Sequence, residues 1–295
     1  MIKQYAILPL LAGVVFVAGG SSCPQLWDFQ ITHLHVTDAQ EEGTFSTHGD
    51  EPYFIVVGFR STWTTPGSTR VFWNGALDDD WADGIDDGGD RDIPASMGKL
   101  EFGRVGTLYT FDEIRDGAHP QLLGAVVIAM ESDNTPFSSV RSTVNDDLIP
   151  ALQNQLIHLV EEGNVSVDHV DQALADARDA IQSAMRLTTL EKIGAVILAG
   201  GDPDDKIGDP HVFAFPVVDP AVIDLVHTFR ADPDGVTLMK LEDSSLTESF
   251  AGDGATYAVT VTGTLRSDSS ARSSGLDVAF ELSPERLRQA LQPLP

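Results

Sequence analysis

Residues 53 to 59, Tyr-Phe-Ile-Val-Val-Gly-Phe, form an unbroken apolar run with an aromatic or β-branched side chain at every position but one. Such a run reads as a β-strand covered on both faces, so the fold must supply apolar cover on each side. Two carboxylates and a proline, Asp50-Glu51-Pro52, precede it directly. Whatever buries this strand therefore also carries acids to its end.

Further runs follow strand patterns. Phe29, Ile31, Leu34 and Val36 alternate with polar residues, with a shift of phase near His33 that marks a bulge. "TRVFWNG" is a third strand, "GKLEFGRVGTLYTFDE" holds one or two more, and "QLLGAVVIAMESDN" is a strong one ending in Glu131 and Asp133. Beyond residue 200, "HVFAFPV", "TLMKLED", "ATYAVTVTGTL" and "LDVAFEL" have strand character, and Ser283-Pro284 starts a short C-terminal helix. Residues 78 to 92, "DDDWADGIDDGGDRD", are too polar and glycine-rich for regular structure and read as a loop.

The period changes near Asn145. Leu148, Leu152, Leu156 and Val160 recur every four residues, which predicts an amphipathic helix. A second helix follows with Val170, Leu174, Ala177, Ile181 and Met185 on one stripe, and "TLEKIGAVILAGG" reads as a third. The expected fold is mainly β: an antiparallel Greek-key β-sandwich in two parts, 23–144 and 201–295, carrying a helical insertion at 145–200.

Charge narrows the function. Lys and Arg number 18 against 45 Asp and Glu, a formal charge of -27 that repels the phosphate backbone and excludes nucleic acid as a partner. Asp outnumbers Glu 32 to 13 and gathers in Gly/Pro-rich stretches, where loops that bind hard cations through oxygen are built. Residues 1–22, with Lys3 ahead of "YAILPLLAGVVFVAGG", read as a secretory signal peptide, too short and poorly flanked for a membrane span. "GSSC" resembles the bacterial lipobox, so the mature protein is expected to be secreted or held at the cell envelope by a lipid on Cys23. A single cysteine allows no internal disulfide.

Acids stand at three sets of strand ends: Asp38, Asp50 and Glu51; Glu131 and Asp133; and Asp202, Asp204 and Asp205. Calcium takes six to eight oxygens, and in a Greek-key sandwich such ends can meet at one edge. The EF-hand spacing fails, because Trp81 and Ile85 fall where ligands are needed. "DEPYFIVV", "MESDN" and Asp205-Lys206-Ile207-Gly208 resemble the C2 domains, β-sandwiches that bind calcium in loops at one end and dock on phospholipid. That resemblance implies Asp38, Glu51, Glu131, Asp133 and Asp205 as calcium ligands, and a membrane surface or an extracellular ligand as partner. Two departures stand against it: Glu51 occupies a position that is Asp in the family, and the helical segment separates Asp133 from Asp205.

Enzymatic readings have thinner support. His33-x-His35 puts two imidazoles on one strand face, as metal-dependent hydrolases do, but the strand-helix alternation of an amidohydrolase barrel is missing. No G-x-S-x-G elbow or phosphate loop is present. The expectation is a calcium-dependent binding protein, with a histidine-based metal hydrolase and an acidic envelope protein without metal as alternatives.

Overall fold

Alternation along the chain resolves into two sheets in the computed structural model, which describes residues 25–39, 50–78, 80–82, 84–132, 136–162, 205–229, 236–242, 244–252 and 254–267. All of these belong to the unit Pro24–Asp268. In the first sheet β1 (Gln25–Asp38) lies between β11 (Ala255–Ser267) on one side and β4 (Asp90–Asp92) with β5 (Lys99–Val105) on the other, and β10 (Ser244–Gly252) pairs with the far side of β11. The second sheet runs β3 (Arg70–Trp73), β2 (Pro52–Thr62), β6 (Gln121–Glu131), β8 (His211–Pro216), β9 (Val236–Leu238). The two-residue β7 (Asp205–Lys206) extends the β8 side of β6.

Among the described strands every ladder is antiparallel except β8 with β9, which is parallel. The chain makes that connection through a helix, Pro220–Phe229, because parallel neighbours need a crossover. This departs from the all-antiparallel arrangement expected from sequence. The shift of phase near His33 is a register shift between Ile31 and His33 in the β1–β11 ladder.

The sheets pack face to face. Trp27, Phe29, Ile31, Leu34 and Val36 from β1 meet Phe54, Val56, Leu123, Val127, Phe213 and Phe215 in one core. Trp27 lies 4.5 Å from Phe215 between ring centroids, and Phe29 lies 5.7 Å from Phe213. Trp63 is buried as well, in the second core.

β2 and β6 have apolar residues on both faces, and a helical layer covers the second face. α3 (Phe137–Thr143) passes through a π turn (Val144–Leu148) into α4 (Ile149–Leu156) and a second π turn (Ile157–Glu161). Val140, Val144, Leu148, Leu152, Leu156 and Val160 all pack on Tyr53, Ile55, Val57, Val126, Ile128 and Met130. Helical structure thus begins at Phe137, ahead of the Asn145 boundary read from sequence.

The two π turns follow from that spacing. An α-helix turns about 100° per residue, so a strict four-residue repeat overshoots by about 40° per step and by about 200° from Val140 to Val160. A π turn closes an i to i+5 bond and takes in one extra residue, which returns about 100°. Two such turns keep the stripe on the sheet. Their bonds run from Ile149 N–H to the Val144 carbonyl and from Glu162 N–H to the Ile157 carbonyl, 3.0 Å for the second. Pro150, with no N–H to give, sits directly after the first.

Three other readings need correction. "GTLYTFDE" is not strand: after β5 the chain forms α2 (Phe111–Arg115), whose N-cap Thr110 and Glu113 make a reciprocal capping box. Ser244–Gly252, which follows the "TLMKLED" run and is not among the expected strands, is β10. The end of the acidic loop, Asp90–Asp92, pairs with β1. The signal segment 1–22, Cys23, the second and third helices, the strand at 276–282 and the C-terminal helix lie outside the described residues.

Candidate functional site

The ladder of the second sheet aligns the acids. Pro52 pairs with Glu131, and Glu131 pairs with Asp205, so the ends of β2, β6 and β7 stand side by side. Asp50 and Glu51 lie immediately before β2; Asp50 forms a bridge with Ile85 of the acidic loop, and Ser132 N–H donates to the Glu51 carbonyl at 3.1 Å. From the facing sheet, Asp38 closes β1 opposite Thr256. The neighbouring Tyr257 reaches across, its hydroxyl donating to Asp50 Oδ2 at 2.7 Å. Asp38, Asp50, Glu51, Glu131 and Asp205 therefore share one end of the sandwich, while Asp133, Asp202 and Asp204 lie outside the described residues.

Burial divides these acids. Asp50 is 0% exposed and Glu131 2%, whereas Asp38 is exposed and Glu51 half-buried. Carboxylates removed from water need donors or cations around them. Burial raises the pKa of Tyr257, and the charges of Asp50 and Glu131 add to the rise, so its hydroxyl stays a donor across the accessible pH range.

The acidic loop is tied to the same end. Val36 and Gly88/Gly89 exchange backbone hydrogen bonds at 2.8 and 2.9 Å, and Ala39 N–H donates to Asp87 Oδ1 at 2.6 Å. Trp81 from this loop packs against the core near Phe54, and its buried indole N–H has no hydrogen-bond partner among the described residues. The Asp-Lys-Ile-Gly tetrapeptide also has packing reasons for its residues. Ile207 is buried in the core, and Gly208 sits at φ +72, where a Cβ would stand 2.7 Å from Ala251 N.

The two histidines project from the outer face of the first sheet, on β1, which is an interior strand. Cα pairing sets His33 opposite Asp92 and His35 opposite Asp90. His33 Nδ1 lies 3.1 Å from Asp92 Oδ1, its Nε2 3.1 Å from Asp90 Oδ1, and His35 Nδ1 2.9 Å from the same oxygen. Ionised carboxylates only accept, so a carboxylate at each His33 nitrogen favours the protonated ring. The Asp92 bond is the main cause of its raised pKa, with Asp90 adding against burial. Among the described residues, no three His, Cys, Asp or Glu side chains stand as a group that could hold a metal ion in their present positions.

A third carboxylate has a structural task. The buried Glu161, at the end of the helical layer, accepts from the N–H groups of Gly67 and Thr69, both at 2.6 Å. It fastens the loop after β2. Burial alone would raise its pKa, but the Thr69 hydroxyl and the N–H groups of Thr69, Gly67 and Ser68 outweigh it and bring the value down. A lowered carboxylate pKa contributes stability that is fully present above the unfolded value and is lost as pH falls through the folded value. Glu161→Gln is expected to cost about 2 kcal/mol near neutral pH. Urea unfolding across the acid range should show that the difference from wild type narrows as pH drops; a constant difference would contradict this assignment.

Sequence reasoning missed Tyr257, Asp90, Asp92 and Glu161. Asp90 and Asp92 were visible only as part of a charge run, and no local pattern marks Tyr257 or Glu161. No family model matches this chain, and no curated protein or solved structure matches it either.

Proposed function

We propose that this protein is an extracytoplasmic binding protein whose acidic sandwich end takes up calcium, with Cys23 as a lipid-anchor position. The observation that carries the reading is the alignment of Asp50, Glu51, Glu131 and Asp205 on three adjoining strand ends, two of these side chains buried. Oxygen donors alone suit a hard cation, and calcium accepts the irregular coordination that loops provide. The C2-like "DEPY" and "DKIG" stretches support the same reading, since both fall at this end. Asp38 would complete the site from the facing sheet, joined by the expected ligands Asp133, Asp202 and Asp204, which lie outside the described residues. With a formal charge of -27, approach to an anionic lipid surface would need bridging cations.

The test is thermal unfolding in chelator and then across a calcium series, with magnesium at matched ionic strength. A ligand bound only by the native state raises stability as its concentration passes the dissociation constant. The expected result is a saturable, calcium-selective rise that Glu131→Gln and Asp205→Asn each weaken. A response to calcium no larger than that to magnesium would overturn the proposal.

A further inference from the structure

We infer that His33, His35 and Asp90 form a site for a divalent first-row transition metal, of the zinc or iron(II) class, on the open face of the first sheet. Both imidazoles already meet one carboxylate oxygen there, His33 Nε2 at 3.1 Å and His35 Nδ1 at 2.9 Å from Asp90 Oδ1, although the three side chains must spread before they can hold an ion. Bonds of about 2.0–2.1 Å in tetrahedral geometry place neighbouring donors about 3.4 Å apart. The two nitrogen–oxygen spacings are a few tenths of an ångström short of that, as hydrogen-bonded pairs are.

Opening the cluster takes little. The Asp90 side chain is 59% exposed and the His33 ring 39%, so the carboxylate can rotate outward without disturbing the core. The backbone frame does not have to move, because β1 and β4 hold both pairs in register. Asp92 has a different place: it meets His33 Nδ1, the nitrogen facing away from the proposed ion. A carboxylate there fixes the ring and raises its basicity, as carboxylates behind metal-bound imidazoles do. Imidazole with one carboxylate selects a borderline transition ion, whereas the acidic end offers oxygen only.

The experiment is zinc binding to the full mature chain, followed as bound zinc per chain after equilibrium dialysis and as a zinc-dependent rise in melting temperature. Wild type should take up one equivalent that the His33→Ala/His35→Ala double variant loses. Asp92→Asn should keep the site but bind about 10- to 100-fold more weakly. Glu131→Gln, aimed at the acidic end, should leave zinc uptake intact, which separates this site from the calcium proposal. Absence of stoichiometric zinc, or uptake unchanged in the double variant, would overturn the inference. All four exchanged side chains are at least partly exposed or lie at strand ends; should a variant unfold, His33→Gln with His35→Gln replaces the alanines under the same readout.

Discussion

Inserting one alanine between Gln153 and Asn154 strips the end of the helical layer from its sheet and lowers the unfolding free energy by about 4 kcal/mol. Both residues lie in α4, where no π turn absorbs an extra residue, so everything beyond the insertion rotates by about 100°. Leu156 and Val160, now fully buried, would swing off Ile55, Val57 and Val126. Each such side chain is stabilising by about 1.5–3 kcal/mol when buried, which sets the size of the loss. Glu161 would leave the Gly67–Thr69 loop in the same movement. Deleting Asp146 is the contrast: it is exposed in the first π turn, its carboxylate accepts from the Ser142 hydroxyl, and its removal takes out the residue that turn absorbs, leaving ordinary α geometry with the stripe still on the sheet. That deletion should change stability by no more than about 1 kcal/mol. Urea denaturation of the two variants decides the matter: equal effects would mean that the extra residue does not set the helical register.

Gly124→Ala costs about 3 kcal/mol. Gly124 lies in β6 between Phe59 of β2 and Ala214 of β8. A Cβ there would stand 2.2 Å from Phe59 Cζ and 2.7 Å from the Phe213 carbonyl oxygen. The ring could turn only by leaving a packed core position, and the carbonyl belongs to the next strand, so neither contact relaxes cheaply. Gly106, where a Cβ would meet nothing closer than 3.4 Å at Gln121, is the matched control and should tolerate alanine. Shortening the neighbour, as Phe59→Leu in the Gly124→Ala background, should recover part of the loss. Thermal unfolding that finds Gly124→Ala as stable as Gly106→Ala would refute the account.

These two positions show what a sequence discloses. The β1 bulge was legible because an alternation that slips by one residue has a single geometric meaning in a sheet. The stripe at Leu148, Leu152, Leu156 and Val160 was legible as a buried helix face, yet its strict spacing of four also encodes the π turns, which went unread. The strand ends that gather Asp38, Asp50, Glu51, Glu131 and Asp205 followed from acids beside apolar runs. Their division into buried and exposed members did not, because burial depends on what the facing sheet brings, here Tyr257. The histidine cluster was half visible. His33 and His35 share a face by period two, but Asp90 and Asp92 reach them through a three-residue strand inside an acidic loop, too short to register as a pattern. The helix Pro220–Phe229 and the capping box at Thr110 were both within reach of local rules, and the second needed only the Thr-x-x-Glu spacing.

The ladder from Gln25–Ser267 to Asp38–Thr256 joins the first described strand to the last. Contacts this distant along the chain form late, since the entropy of closing the loop is lost before any pairing rewards it. β2, β6 and the helical layer can associate while β1 still has no partner on its β11 side, so the second sheet is positioned to nucleate folding and the first to complete it. A chain that emerges amino end first therefore leaves the β11 edge of β1 unpaired until Ser267 has been made, and completion of the first sheet waits on the last described strand.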